Sequence, residues 1–152
     1  MAEQKRGGVS LPPVDQIGIV VEDIDRAVEY YTNVFGWGPF QVRETEMEGF
    51  TYKGKAGSCR QKNAFAKSGP IEIELIQALE GETPHTEFFG KKGEGAEHLR
   101  FRVEDLDSTL AELAKEGIRP IYQKRFPDRG IAFAYLDSDK VGGVIFELIE
   151  IK

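Results

Sequence analysis

Four residues of this 152-residue chain have the types and the spacing of a metal-binding set: Gln16, Glu74, His98 and Glu147. An amide, two carboxylates and an imidazole suit Zn²⁺, Co²⁺, Mn²⁺, Ni²⁺ or Fe²⁺. Taken singly, a histidine in a strand is more often a hydrogen-bonded or surface residue, and a glutamate on an edge strand is more often solvated. What raises these four above that background is that they come in pairs. VDQIGIVVEDIDRAVEYY, from Val14, and AEHLRFRVEDLDSTLAEL, from Ala96, align without a gap at an offset of 82, which sets Gln16 on His98. PIEIELIQ, from Pro70, and GVIFELIE, from Gly143, align at an offset of 73, which sets Glu74 on Glu147. A carboxylate among isoleucines, as Glu147 is among Ile145, Ile149 and Ile151, is costly to bury unpaired. A cation or solvent must compensate it. Two repeats related by pseudo-twofold symmetry would bring all four residues together.

Each repeat reads as strand, helix and three strands. Residues 14–21 alternate and are β-branched. Ile17, Ile19 and Val21 then share the face that packs on a helix, with Gln16, Gly18 and Val20 opposite. Asp23 is an N-cap, Ile24, Ala27, Val28 and Tyr31 form one apolar stripe, and Gly36 ends the helix. The second unit repeats this grammar with strand 97–103, cap Asp105, the stripe Leu106, Leu110 and Leu113, and Gly117. Leu99, Phe101 and Val103 face that helix, and His98, Arg100 and Arg102 face away. Further strands are expected near 39–45, 61–67 and 70–77, and near 118–123, 130–136 and 143–151. The changed offset marks residues 47–60 as a surplus loop in the first unit. Cys59, the single cysteine, would be a bystander thiol there and excludes an internal disulfide. The division is a flexible leader 1–13, a first βαβββ unit 14–79, a linker 80–95 with a short helix near 84–91 that carries His85, and a second unit 96–152.

A net charge of −6 without a polybasic arm argues against nucleic acid as a partner. No apolar run approaches the roughly 18 residues of a membrane span. The opening MAEQKRGGVSLPP lacks the apolar core of a signal peptide, so a cytoplasmic location is expected.

The duplicated βαβββ unit, with candidate ligands on the first and last strand of each copy, resembles the vicinal oxygen chelate superfamily. Within it the chain looks most like the methylmalonyl-CoA epimerase group. The resemblance spans residues 14–151 and is carried by DQIGIVVEDIDRAVEYYTNVFGW, TPHTEFFGKKGEGAEHLRF and GGVIFELIE. It implies an α+β fold, with tandem βαβββ units forming a curved, barrel-like mixed sheet and helices on its outer face. It also implies one divalent metal ion, Zn, Co, Mn or Ni, held by Glu74, His98 and Glu147. The epimerases have a histidine where this chain has Gln16. The order Gln, Glu, His, Glu is similar to the zinc set of glyoxalases of the lactoylglutathione lyase type. Those enzymes carry a glutathione-binding arginine where this chain has Val20, which argues against glutathione. Many epimerases carry an acid/base glutamate on the strand after a turn, and the matching EGFTY, from Glu48, places Tyr52 there. Arg100, where the epimerases have a small residue, either holds a substrate carboxylate or phosphate in a fork or pairs with Glu72 or Glu74.

The resemblance thus implies an isomerase that removes and returns an α-proton of a metal-chelated acyl thioester, such as an acyl-CoA, with Glu147 as one proton carrier and Tyr52 as a candidate for the other. The competing readings are a glyoxalase-like lyase or isomerase on another oxo- or hydroxy-acid, and a metal-free protein that sequesters a small molecule. A ring-cleaving dioxygenase is disfavoured because only one histidine sits at a ligand position. A homodimer is expected. Whether the repeats pair within one chain or across a dimer is open at this level.

Overall fold

Alternating β-branched residues in Val14–Val20 make β1, which buries Gln16, Gly18 and Val20 on one face and turns Ile17 and Ile19 toward the helix layer. Asp23 then accepts a hydrogen bond from the Arg26 amide and starts α1, Ile24–Phe35, which Gly36 ends at φ 72°. The remaining elements are β2 (Gln41–Tyr52), β3 (Lys55–Ser68), β4 (Ile71–Glu80), α2 (Pro84–Lys92), β5 (Gly95–Arg102), α3 (Leu106–Lys115), β6 (Pro120–Phe126), β7 (Ile131–Leu136) and β8 (Ile145–Ile151). They are taken from a computed structural model that describes residues 8–152.

The eight strands close into a barrel in the order β1-β4-β3-β2-β6-β7-β8-β5. The repeats therefore pair within one chain, through an antiparallel β1/β5 ladder on one side and a β2/β6 ladder on the other. The repeat offsets reappear in the register. Gly18 faces Glu74 across β1/β4, and Arg100 faces Glu147 across β5/β8. They reappear in the helix starts as well. The Ile24 amide donates to Gln77 Oε1 and the Leu106 amide to Glu150 Oε1, each at 2.9 Å. In both units the last strand thus satisfies a backbone donor that the helix cannot.

Outside the barrel, α1 packs on Ile73 and Leu75, and α3 on Phe101, Ala134 and Leu148. Each fully buried leucine or isoleucine contributes roughly 1.5–3 kcal/mol. Inside lies an aromatic cluster of Phe50, Tyr122, Phe133 and Tyr135. Tyr122 meets Phe50, Phe133 and Tyr135 at ring-centroid distances of 5.1–5.2 Å.

Two expectations need correction. Residues 47–60 are not a loop. β2 and β3 run on as one long hairpin that turns at Lys53-Gly54, so the surplus length of the first unit is extra strand. Gly57 leaves the room that the Phe50 ring occupies, since a Cβ there would lie 2.7 Å from it. The density of Gly, Lys and Ser in KGKAGSCR imitates a loop, while the strand is held by Phe50 packing inward. Cys59 is accordingly a buried strand residue, its thiol pushed up by burial. Leu11 packs against the α3 core. Residues 1–7 lie outside the described residues.

Candidate functional site

The four residues singled out in the sequence converge inside the barrel. His98 Nε2 lies 3.0 Å from Gln16 Oε1, 3.3 Å from Glu147 Oε1 and 3.5 Å from Glu74 Oε1. Gly18 makes this approach possible, because a Cβ there would sit 2.0 Å from His98 Cε1.

Neighbouring side chains fix how each donor points. Gln16 Nε2 donates to Glu72 Oε1 at 2.8 Å, which turns the amide oxygen toward His98. Asn63 Nδ2 donates to Glu74 Oε2 at 3.1 Å and leaves Oε1 facing His98. His98 Nδ1 bonds Glu97 Oε1 at 2.9 Å, and Glu97 also bonds His85 Nδ1. Arg100 grips Asp15 through Nε at 2.9 Å and Nη2 at 3.3 Å, and its Nη2 lies 3.9 Å from Glu72.

The β1/β5 ladder slips twice, and the slips are related by the repeat. Val14 faces Phe101 and Gln16 faces Arg100, so Asp15 is an extra, unopposed residue. Gly18 faces His98 and Ile19 faces Ala96, so Glu97 is the other. A bulge turns consecutive side chains to one side of the sheet. That is how Glu97 and His98, adjacent in sequence, are both buried.

Burial shapes the electrostatics. Burial pushes Glu147 up to about 7, with His98 and Arg100 opposing and Glu74 reinforcing it. Burial likewise raises Glu74. For His98, burial favours the neutral ring, but the Glu97 hydrogen bond and the Glu147 and Glu74 charges outweigh it and raise the imidazole to about 9. Three oxygens aimed at one nitrogen call for positive charge at that point.

Among the described residues no group of three or more His, Cys, Asp and Glu side chains is drawn together as a ready-made metal cage. The distances meeting at Nε2 nevertheless suit a divalent ion. With metal–ligand bonds of about 2.0–2.2 Å, neighbouring donors in tetrahedral or octahedral sites stand roughly 2.8–3.6 Å apart. The donor set, its orientation by Glu72, Asn63 and Glu97, and its excess of carboxylate all fit such an ion.

Side-chain exposure rises from 0 % at His98 through 12 % at Glu74 and 18 % at Arg100 to 31 % at Asp15, so the cluster opens past Arg100. The opposite side is closed by α2, whose His85 is buried against Tyr122 and Tyr135.

Arg100 is thus beside the cluster and already paired with Asp15. Tyr52 is not brought to the cluster. Its hydroxyl bonds Glu87, and the rings of Tyr122 and Tyr135 follow one another between it and His98. Tyr52 and Glu87 instead line a cavity of about 500 Å³ between the β2–β3 hairpin and α2, which none of the four donors lines. Sequence reasoning named Glu72 beside Arg100 but gave no part in the site to Glu97, His85, Asp15, Asn63 or Gly18. One signal was available: an acidic residue precedes the candidate ligand in both repeats, as Asp15-Gln16 and as Glu97-His98.

A sequence profile described as the Glyoxalase/Bleomycin resistance protein/Dioxygenase superfamily matches residues 15–135. The chain belongs to that superfamily. It is 32 % identical over 142 residues to the uncharacterized protein YqjC of Bacillus subtilis (strain 168), covering 91 % of this chain and 92 % of that protein. It is 24 % identical over 149 residues to the mitochondrial methylmalonyl-CoA epimerase of Homo sapiens, covering 96 % of this chain and 78 % of that one. Among solved structures, a single-residue variant of the Streptomyces coelicolor methylmalonyl-CoA epimerase in complex with 2-nitronate-propionyl-CoA superposes with a TM-score of 0.71. It shares 26 % identity and covers 93 % of this chain and 96 % of that one. The Mycobacterium tuberculosis epimerase gives a TM-score of 0.68 at 25 % identity, covering 99 % and 93 %. No helix among the described residues is long and apolar enough to cross a membrane.

Proposed function

We propose that this chain is a metal-dependent isomerase of the methylmalonyl-CoA epimerase type, acting at the α-carbon of an acyl thioester. The observation that carries the reading is the convergence of Gln16, Glu74 and Glu147 oxygens on His98 Nε2 in a buried, carboxylate-rich cluster. Relatives that are methylmalonyl-CoA epimerases, one of them in complex with an acyl-CoA analogue, support the substrate class.

In this reading Gln16, Glu74, His98 and Glu147 hold one divalent ion. When bound, such an ion supplies Lewis acidity that stabilises negative charge developing on a substrate oxygen. The chain's own residues do the rest. Burial of His98, Glu74 and Glu147 strengthens the local electrostatics. Glu147 exchanges the α-proton through its carboxylate. Arg100 stands on the open side, where Nη1 has no partner among the described residues and can meet a substrate carboxylate while Asp15 keeps the other edge of the guanidinium. Tyr52 is the second proposed proton carrier. Its hydroxyl must first leave Glu87 and pass the rings of Tyr122 and Tyr135, so its part in the reaction requires movement between β2 and α2.

The test is exchange of the α-hydrogen of methylmalonyl-CoA with solvent deuterium, with the divalent ion present. The expected result is exchange that depends on both protein and metal. No exchange above background contradicts the epimerase assignment. A second reading, a glyoxalase-like reaction on another oxo- or hydroxy-acid, is favoured by the Gln16 amide, which Glu72 turns toward the cluster oxygen-first. Turnover of a hemithioacetal would support it. Inertness toward hemithioacetals would remove it.

A further inference from the structure

Glu97 is fully buried and holds two histidines at once. His98 Nδ1 lies 2.9 Å from Glu97 Oε1, and His85 Nδ1 lies 2.9 Å from both carboxylate oxygens. An ionised carboxylate has only acceptors to offer. Each Nδ1 therefore carries a hydrogen and donates it. When the ring is neutral, as a metal ligand must be, a hydrogen held on Nδ1 leaves the lone pair on Nε2, and Nε2 is the atom that faces Gln16, Glu74 and Glu147.

The placement has a structural cause and a counterpart. Glu97 is the unopposed residue of its bulge, free of a ladder neighbour and turned inward beside His98. Asp15, its equivalent in the first repeat, is turned instead to Arg100. His85 adds a connection that the repeat does not have, because α2 lies between the units. The bond from His85 ties the helix that closes the barrel to the carboxylate that orients the site.

We propose that Glu97 is the positioning residue of the cluster. It fixes the ring orientation and tautomer of His98 that present Nε2 to the other donors. By sharing its carboxylate with His85, it makes the seating of α2 and the order of the site one event. The metal-affinity consequence rests on the metal reading above; the tautomer and the helix coupling do not.

The experiment uses the full chain, labelled with ¹⁵N at histidine, and Zn²⁺ as the probe. In the parent, nuclear magnetic resonance should show slowly exchanging, downfield Nδ1 protons on both His85 and His98, with or without Zn²⁺. A His98 ring with its proton on Nε2 and none on Nδ1 overturns the proposal. This arm needs no variant, so it stands even if substitution at Glu97 prevents folding. In Glu97→Gln with the parent's circular dichroism, Zn²⁺ affinity by chelator competition should fall roughly 10–100-fold, the usual cost of losing a partner of a metal-bound histidine. Hydrogen exchange at residues 84–92 should speed up more than in the strands. His85→Phe should give the same helix response with a smaller loss of affinity. Parent-like affinity and unchanged exchange in α2 for Glu97→Gln contradict the positioning role. A parent that takes up no Zn²⁺ but shows both Nδ1 protons contradicts the metal reading and supports the positioning of His98.

Discussion

The two junctions between the repeats are built to different standards. β1 and β5 pair along nearly their whole length, from Val14 opposite Phe101 to Val20 opposite Gly95. β2 and β6 meet at only two positions, Thr51 opposite Gln123 and Tyr52 opposite Tyr122. The long ladder carries Gln16, His98, Arg100 and both acidic bulges. The short one is supplemented by side chains: Lys124 donates to the Glu48 carbonyl, and Tyr52 bonds Glu87 on α2. Beyond it the β2 edge presents Glu44, Glu46 and Glu48, charges that discourage strand addition. A donor set must be held within a few tenths of an ångström, and a continuous ladder supplies that rigidity. The short junction supplies closure with little backbone pairing, which suits a place where movement is needed.

From this contrast, substitutions at the long junction should abolish metal uptake and those at the short one should spare it. The largest effect is expected from Gly18→Ala. Its Cβ would enter the His98 ring, and neither backbone can retreat without breaking the ladder. A loss of about 3 kcal/mol in denaturant unfolding is expected, at the upper end of the usual cost of overpacking, together with loss of metal uptake. Parent-like stability and uptake would show that β1/β5 yields easily.

Metal itself should stabilise the chain through this junction. Zn²⁺ at about a hundredfold over its Kd should add about 2.7 kcal/mol. For a domain of this size that is a rise of roughly 5–10 °C in thermal midpoint, reversed by a chelator. A midpoint indifferent to both would deny the ion a place among the four donors.

Tyr52→Phe, at the short junction, should cost about 1 kcal/mol for its lost hydrogen bond and leave metal affinity unchanged. As a proposed proton carrier, Tyr52 should also be needed for α-hydrogen exchange, which should fall about a hundredfold. If exchange is unaffected, Tyr52 is a closure residue alone. The smallest effect concerns acid. Hydrogen bonds from Lys91, Tyr52 and Lys53 hold Glu87 down to about 2, below its ordinary 4.5. A carboxylate with a lowered folded pKa stabilises the fold above its unfolded value. Its contribution is lost as pH falls from about 4.5 toward 2. Glu87→Gln should therefore flatten the acid limb of the stability profile in that window; an unchanged limb would place the acid sensitivity elsewhere.

The parts of the molecule legible in the sequence are those repeated in it. Asp23 and Asp105, Gln16 and His98, and Glu74 and Glu147 mark equivalent places, and duplication made each pair a control for the other. What was illegible breaks either the period or the symmetry. The bulges at Asp15 and Glu97 shift side chains by one residue, which alternation cannot register. The β2–β3 extension exists in one unit only, and its glycines read as loop because the ring they accommodate, Phe50, lies across the hairpin turn. His85 belongs to neither repeat, so nothing in the pattern connected it to the site. Arg100 is the repeat equivalent of Gly18, and that asymmetry separates the open side of the cluster from the side the His98 ring fills.

In the proposed function the β1/β5 junction, with its two parallel neighbours β4 and β8, holds a divalent ion. The most direct test of this is metal content by mass spectrometry, comparing the parent with His98→Ala and Glu147→Ala after equal exposure to Zn²⁺, Co²⁺, Mn²⁺ and Ni²⁺. Close to one ion per chain is expected in the parent, with its loss in both variants. A folded parent that takes up none of these ions would contradict it and leave a ligand-sequestering barrel as the better description.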